Sequence, residues 1–205
     1  MRSPARSVIS TIELSGTGCP ARLASGAPDA QIEPVAQPVK PSPAERIAVR
    51  SALQRMPYEL AGLLQALSAA IARERRAGLA FSAVEQVWHL ADLEHEGFGR
   101  RIERLLHENQ PLLPDFDGDA IAAERDYSRR SLREGLAAFA AARAANLAHL
   151  DRVRDEDWER SGVQEGVGPV VLADLPVLMC QHDAAHRAEI ELWLAAGAAS
   201  PGGSP

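Results

Sequence analysis

Three of the six histidines have the spacing of metal ligands. His182 and His186 lie four residues apart, so on an α-helix both imidazoles project from one face. His89, in a separate apolar segment, can add a third nitrogen from a facing helix. Three imidazoles leave a coordination position open for water or substrate, as catalytic divalent metals require. The spacing therefore predicts a metal site at these three residues.

The neighbouring apolar residues place the histidines on the inner faces of their helices. In the last helical segment, His182 and His186 continue the three- and four-residue spacing of Leu175 and Met179. A single buried histidine is often a core residue with one hydrogen-bond partner, and that reading stays open for His89. Three such histidines meeting in one bundle favour a metal ion.

Carboxylates near the histidines have two open interpretations each. Asp92, one turn after His89, either orients a metal-binding histidine or is an ion-paired helix acid. Glu189, three residues after His186, either reaches the same cavity or forms an exposed ion pair with an arginine. Asp183 points about 100° away from His182, which predicts a supporting or surface role rather than a ligand.

Two competing motifs are rejected. The segment 182–186 has the outline of HExxH, but Asp183 is one methylene shorter than the glutamate that acts as base in zinc peptidases. The segment 115–119 resembles a calcium loop, but its glycine is at the fourth place instead of the sixth, and Asp126 replaces the final glutamate. Neither peptidase nor calcium-binding function is expected.

Composition indicates a helical protein with one core. Of 205 residues, 46% are hydrophobic, chiefly alanine and leucine, and only 4% are aromatic, which favours an all-α fold. The net charge of −6, without an arginine-rich stripe, argues against nucleic acid as a partner. Cys19 and Cys180 form no disulfide or redox motif, and Cys180 is predicted to be a buried packing residue. No segment has the apolar length of a membrane span, so we expect a cytoplasmic protein with no membrane partner.

The order of patterns predicts an antiparallel four-helix bundle between two flexible ends. Residues 1–43, rich in proline, glycine and serine, are predicted to be a disordered tail, and residues 198–205 a flexible C-terminus. The bundle occupies 44–197. Its helices are predicted over 44–78 with a bend at Pro57, from the capping residue Ser82 to about 107, over 120–150 and over 170–194. A glycine-rich connection covers 158–168.

The segments 81–94 and 162–170, followed by the histidine pair of 182–186, together resemble the DinB-like superfamily, also called DinB/YfiT-like. The resemblance covers about 44–196. It implies a four-helix bundle in which His89, His182 and His186 hold a divalent ion such as zinc, nickel or iron, often in a homodimer. The chain departs from the family at Phe81, where tryptophan is usual, and at Glu189, where glutamine is common.

The resemblance also implies a reaction. Family members resemble transferases in which the metal lowers the pKa of a low-molecular-weight thiol, and the thiolate attacks a small electrophile. No protein nucleophile is then needed. Two alternatives stay open: a metal-dependent hydrolase that uses activated water, and a non-catalytic bundle that binds a small molecule or a partner.

Overall fold

The structure is a computed structural model, and it describes residues 41–198. The tails predicted at 1–43 and 198–205 lie almost entirely outside these residues. The helices are α1 (Pro43–Leu64), α2 (Ala69–Ala72), α3 (Ala83–Asp92), α4 (Arg100–His107), α5 (Gly118–Glu124), α6 (Leu132–Leu150) and α7 (Leu175–Ala198). A π-helical segment, Leu93–Gly99, joins α3 to α4 without a break.

Four long helical units form the predicted bundle: α1, the continuous α3–π–α4 unit, α6 and α7. Helix α1 packs on α6 and α7, and α3 packs on the same two helices. The core between them includes fully buried Leu60, Leu64, Ile102 and Leu105. Cys180 is buried in this core, as its sequence context predicts. The all-α four-helix prediction is confirmed.

Side-chain caps explain where the helices begin. Ser82 accepts a hydrogen bond from the Glu85 backbone, and the Glu85 carboxylate accepts one from the Ser82 backbone, which forms the predicted capping box of α3. The same arrangement of Ser42 and Glu45 starts α1. The start of α3, the helix that carries His89, is therefore encoded locally.

Two helix predictions were too long. The first helix ends at Leu64 instead of continuing to 78, and Pro57 lies inside it. The segment predicted as one helix over 120–150 is divided between α5 and α6. The division falls at Asp126, whose φ of 48° is left-handed, and Ser131 caps a new helix after it.

A small sheet replaces the predicted glycine-rich connection. Strand β1 (Leu112–Leu113) is parallel to β2 (Ser161–Gln164), which is antiparallel to β3 (Gly168–Val171). Because β3 and a 3₁₀ turn (Leu172–Asp174) occupy the positions after 168, the last helix begins at Leu175 rather than 170. The sheet holds β1 in place, and the loop that follows β1 reaches His89 at Gly118.

Within residues 41–198, none of the helices has the length and apolar character that crossing a membrane requires.

Candidate metal centre

The three histidines converge between α3 and α7. The Nε2 atoms of His182 and His186 lie 3.0 Å apart, and those of His89 and His182 lie 3.4 Å apart. One nitrogen from each ring lies within 4.8 Å of the others. Helix α3 supplies His89 from its last turn, and the four-residue spacing on α7 places the other two imidazoles side by side.

This spacing fits a divalent ion. Nitrogen ligands about 2.05 Å from a tetrahedral metal are about 3.3 Å from each other, which is close to the two Nε2 distances. Three imidazole nitrogens suit zinc, nickel, iron and copper alike, so the donor set does not select one of these metals. The structure therefore brings together the residues that the sequence selected, and their role as ligands stays a prediction.

Burial keeps the three imidazoles neutral near pH 7. Desolvation lowers the pKa of His89 to about 4, and desolvation with the nearby His186 and His89 lowers that of His182 to about 2. Desolvation also lowers the pKa of His186 to about 4. A neutral imidazole has the free lone pair that a metal requires, so no proton has to leave when an ion binds.

Gln86 orients His186 and was missed by the sequence analysis. Its Oε1 contacts His186 Nδ1, and its Nε2 donates to Glu189 Oε2 at 2.5 Å. Gln86 is 3% exposed and lies one turn before His89 on α3, which is the signal that could have identified it. With Nδ1–H donating to the amide oxygen, the Nε2 lone pair of His186 faces the other two rings.

Glu189 and Asp92 occupy different surroundings. Glu189 binds Gln86, is half exposed, and has a carboxylate oxygen 3.6 Å from His186 Nδ1. Asp92 accepts hydrogen bonds from the Tyr127 hydroxyl at 2.5 Å and from Arg125 at 2.7 Å, and neither of these partners is a histidine. Burial and the bond to Asp92 raise the pKa of Tyr127, so its hydroxyl stays protonated and keeps donating its hydrogen bond to Asp92.

Asp183 belongs to a buried charge network beneath the histidines. Its two carboxylate oxygens accept from Arg143 at 2.7 and 2.9 Å, while Arg143 also binds Glu94 of the π-helical segment. Asn146 donates to the Glu94 carboxylate as well. The network ties α6 to both histidine-bearing units and so fixes how they face each other.

Phenylalanine rings wall the site. Phe81 and Phe116 lie 5.7 and 6.0 Å from the His89 ring, and Phe98 lies 6.1 Å from the His182 ring, measured between centroids. Gly118 packs so closely on His89 that a Cβ there would be 2.5 Å from the imidazole Cε1. The buried Nδ1 of His89 has no hydrogen-bond partner among residues 41–198.

A family model of the DinB superfamily matches residues 52–190. The chain belongs to the DinB superfamily. This confirms the resemblance found in the sequence, and all three histidines lie inside the matched DinB region. No curated protein sequence matches the chain significantly.

The DinB fold is also supported by a solved structure. The structure of YfiT from Bacillus subtilis aligns with a TM-score of 0.71 at 19% identity, over 82% of this chain and 94% of that chain. It is described as "a probable metal-dependent hydrolase with an unusual four-helix bundle topology". At 19% identity, this similarity shows that the two proteins share a fold.

Proposed function

We propose that this DinB-superfamily protein is a metal-dependent enzyme acting on a small molecule, with its ion bound by His89, His182 and His186. The observation that carries the proposal is the convergence of the three Nε2 atoms at 3.0 and 3.4 Å separations. Three partly buried, neutral rings held this close can direct three nitrogen lone pairs at one divalent cation between them.

The chain's own residues prepare the site rather than attack the substrate. Gln86 holds His186 in the tautomer with a free Nε2, and Phe81 and Phe116 form apolar walls beside His89. Cys180 is directed towards the Val49 carbonyl, so it supplies no nucleophile. A bound ion would act as a Lewis acid and lower the pKa of a water or thiol that it coordinates.

Hydrolysis is the first candidate reaction. The description of YfiT as a probable metal-dependent hydrolase supports it. Asp119 supports it as well, because its exposed carboxylate is near enough to His89 for its charge to act on that ring's pKa. In that reaction Asp119 would be the carboxylate available to accept a proton from water. Thiol transfer is the second candidate, because Asp92 and Glu189 are engaged by other side chains and a thiol needs no protein base.

Turnover with and without a thiol tests the proposal. The protein, reconstituted separately with zinc, nickel and ferrous iron, is assayed against ester, amide and alkyl-halide substrates with and without added cysteine. Activity that needs metal but no thiol assigns a hydrolase, and activity that also needs cysteine assigns a transferase. His182→Ala abolishes either activity, while the exposed His95→Ala leaves it unchanged. Equal turnover with and without metal contradicts the proposal.

A further inference from the structure

A second buried arginine lacks the partners that the first one has. Arg143, 2% exposed, donates five hydrogen bonds to Glu94, Asp183 and the Leu53 carbonyl. Arg101, 7% exposed, donates a single bond of 3.3 Å, from Nη2 to the Pro114 carbonyl. The fold therefore satisfies one buried guanidinium completely and leaves the other nearly unsatisfied.

The unsatisfied atoms of Arg101 are costly to bury. Its Nε has no hydrogen-bond partner among the described residues, and no carboxylate of residues 41–198 forms an ion pair with it. Desolvation lowers the pKa of Arg101, with Asp115 acting against this from a distance. A buried guanidinium without a counter-ion destabilises a fold unless an anion reaches it.

Arg101 lies beside the three histidines. The Phe98 ring centroid is 5.9 Å from the Arg101 Cζ and 6.1 Å from the His182 ring, so one phenyl group separates the guanidinium from the metal centre. The loop that accepts the Arg101 hydrogen bond at Pro114 packs on His89 four residues later, at Gly118. The guanidinium and the metal centre are therefore neighbours, linked through Phe98 and through the loop between Pro114 and Gly118.

We propose that Arg101 binds the carboxylate of an apolar carboxylic acid whose reacting end lies at the three histidines. One guanidinium neutralises one negative charge, and the neighbouring acidic loop disfavours a doubly charged phosphate. The walls of Phe98 and Phe116 suit an aromatic or alkyl body between the two ends. The reaction served rests on the proposed function, whereas carboxylate binding by Arg101 does not need the metal.

Calorimetry on the metal-free full-length protein tests this, because a carboxylate cannot then bind an ion instead. The probes are phenylacetate and its neutral counterpart phenylacetamide. We expect wild type to bind phenylacetate at least tenfold more tightly than the amide, and Arg101→Gln to lose this preference. Arg101→Lys keeps the charge but not the planar fork and is expected to be intermediate. The control Arg100→Gln removes the same charge from the neighbouring exposed position.

Two further readouts separate the outcomes. If Arg101 serves a ligand and not the fold, Arg101→Gln melts at or above the wild-type temperature and keeps the same metal content. No preference for phenylacetate in wild type, an unchanged preference in Arg101→Gln, or a marked loss of melting temperature overturns the inference. Metal content is measured independently. If the protein binds no metal, the calorimetric result on the metal-free protein still tests carboxylate binding by Arg101.

Discussion

Gln86 is the residue whose change should affect the metal centre without removing a ligand. Gln86→Leu deletes the acceptor for His186 Nδ1, so the imidazole is free to rotate and to change tautomer. We expect metal affinity to fall by roughly 10- to 100-fold, measured by competition with a chromophoric chelator. The exposed Gln54→Leu, the same substitution away from the site, should change nothing. Wild-type affinity in Gln86→Leu would mean that the amide does not orient the ring.

The three partly buried histidines should make the metal-free protein sensitive to acid. Their pKa values of about 4, 2 and 4 in the folded state lie below the ordinary 6.5. Below pH 6.5 the unfolded chain therefore binds protons that the folded chain does not, and stability falls as pH falls, by up to about 1.4 kcal/mol per pH unit for each histidine. Asp183 acts in the opposite direction, since burial raises its pKa from 3.8 to about 6.

Urea unfolding of metal-free wild type between pH 7 and 4.5 measures this loss. In His89→Ala one of the three groups is absent, so its stability should depend less steeply on pH. A wild-type stability that does not change over this range would show that the rings are already protonated or open to water in the folded state.

At the element scale, sequence patterns predicted the features that depend on neighbouring residues within one helix. The capping box of Ser82 and Glu85 marks the start of α3, and the apolar stripe of α7 places both of its histidines inward. The π-helical segment Leu93–Gly99 was not predicted, because residue type does not encode the i→i+5 hydrogen bonds that define it. The sheet was missed because its short strands contain Gly162, Gly168 and Pro169, which have low strand propensity.

The candidate site divides in the same way. Residue type and helical spacing selected His89, His182 and His186, whereas Gln86 and Arg101 acquire their importance only from tertiary contacts. The sequence does not indicate that a glutamine on one helix will contact a histidine on another. The partner of Asp183, Arg143 on α6, is likewise set by how the helices pack.

The Arg143 network should hold the elements around the site together. Arg143→Met leaves the carboxylates of Glu94 and Asp183 buried without a counter-ion. We expect a loss of roughly 3–5 kcal/mol in the unfolding free energy of the metal-free protein, measured with urea. Arg133→Met, on the exposed face of the same helix, should stay within about 0.5 kcal/mol of wild type. A loss below about 1 kcal/mol for Arg143→Met would contradict a structural role for the network.

At the scale of the whole molecule, the homodimer implied by the family resemblance stays a prediction. Sedimentation velocity at micromolar concentration should give a species of twice the chain mass of 22.0 kDa. A single monomeric boundary at the same concentration would refute it.

The central claim is that residues from two helices hold one ion. We would purify the chain without a histidine tag, reconstitute it with zinc, and measure bound metal by elemental analysis for wild type, His89→Ala, His182→Ala, His186→Ala and the exposed control His95→Ala. The account predicts about one ion per chain in wild type and His95→Ala, and loss of metal in the other three variants. A wild-type protein that binds no metal, or a His89→Ala variant that keeps it, would contradict the account.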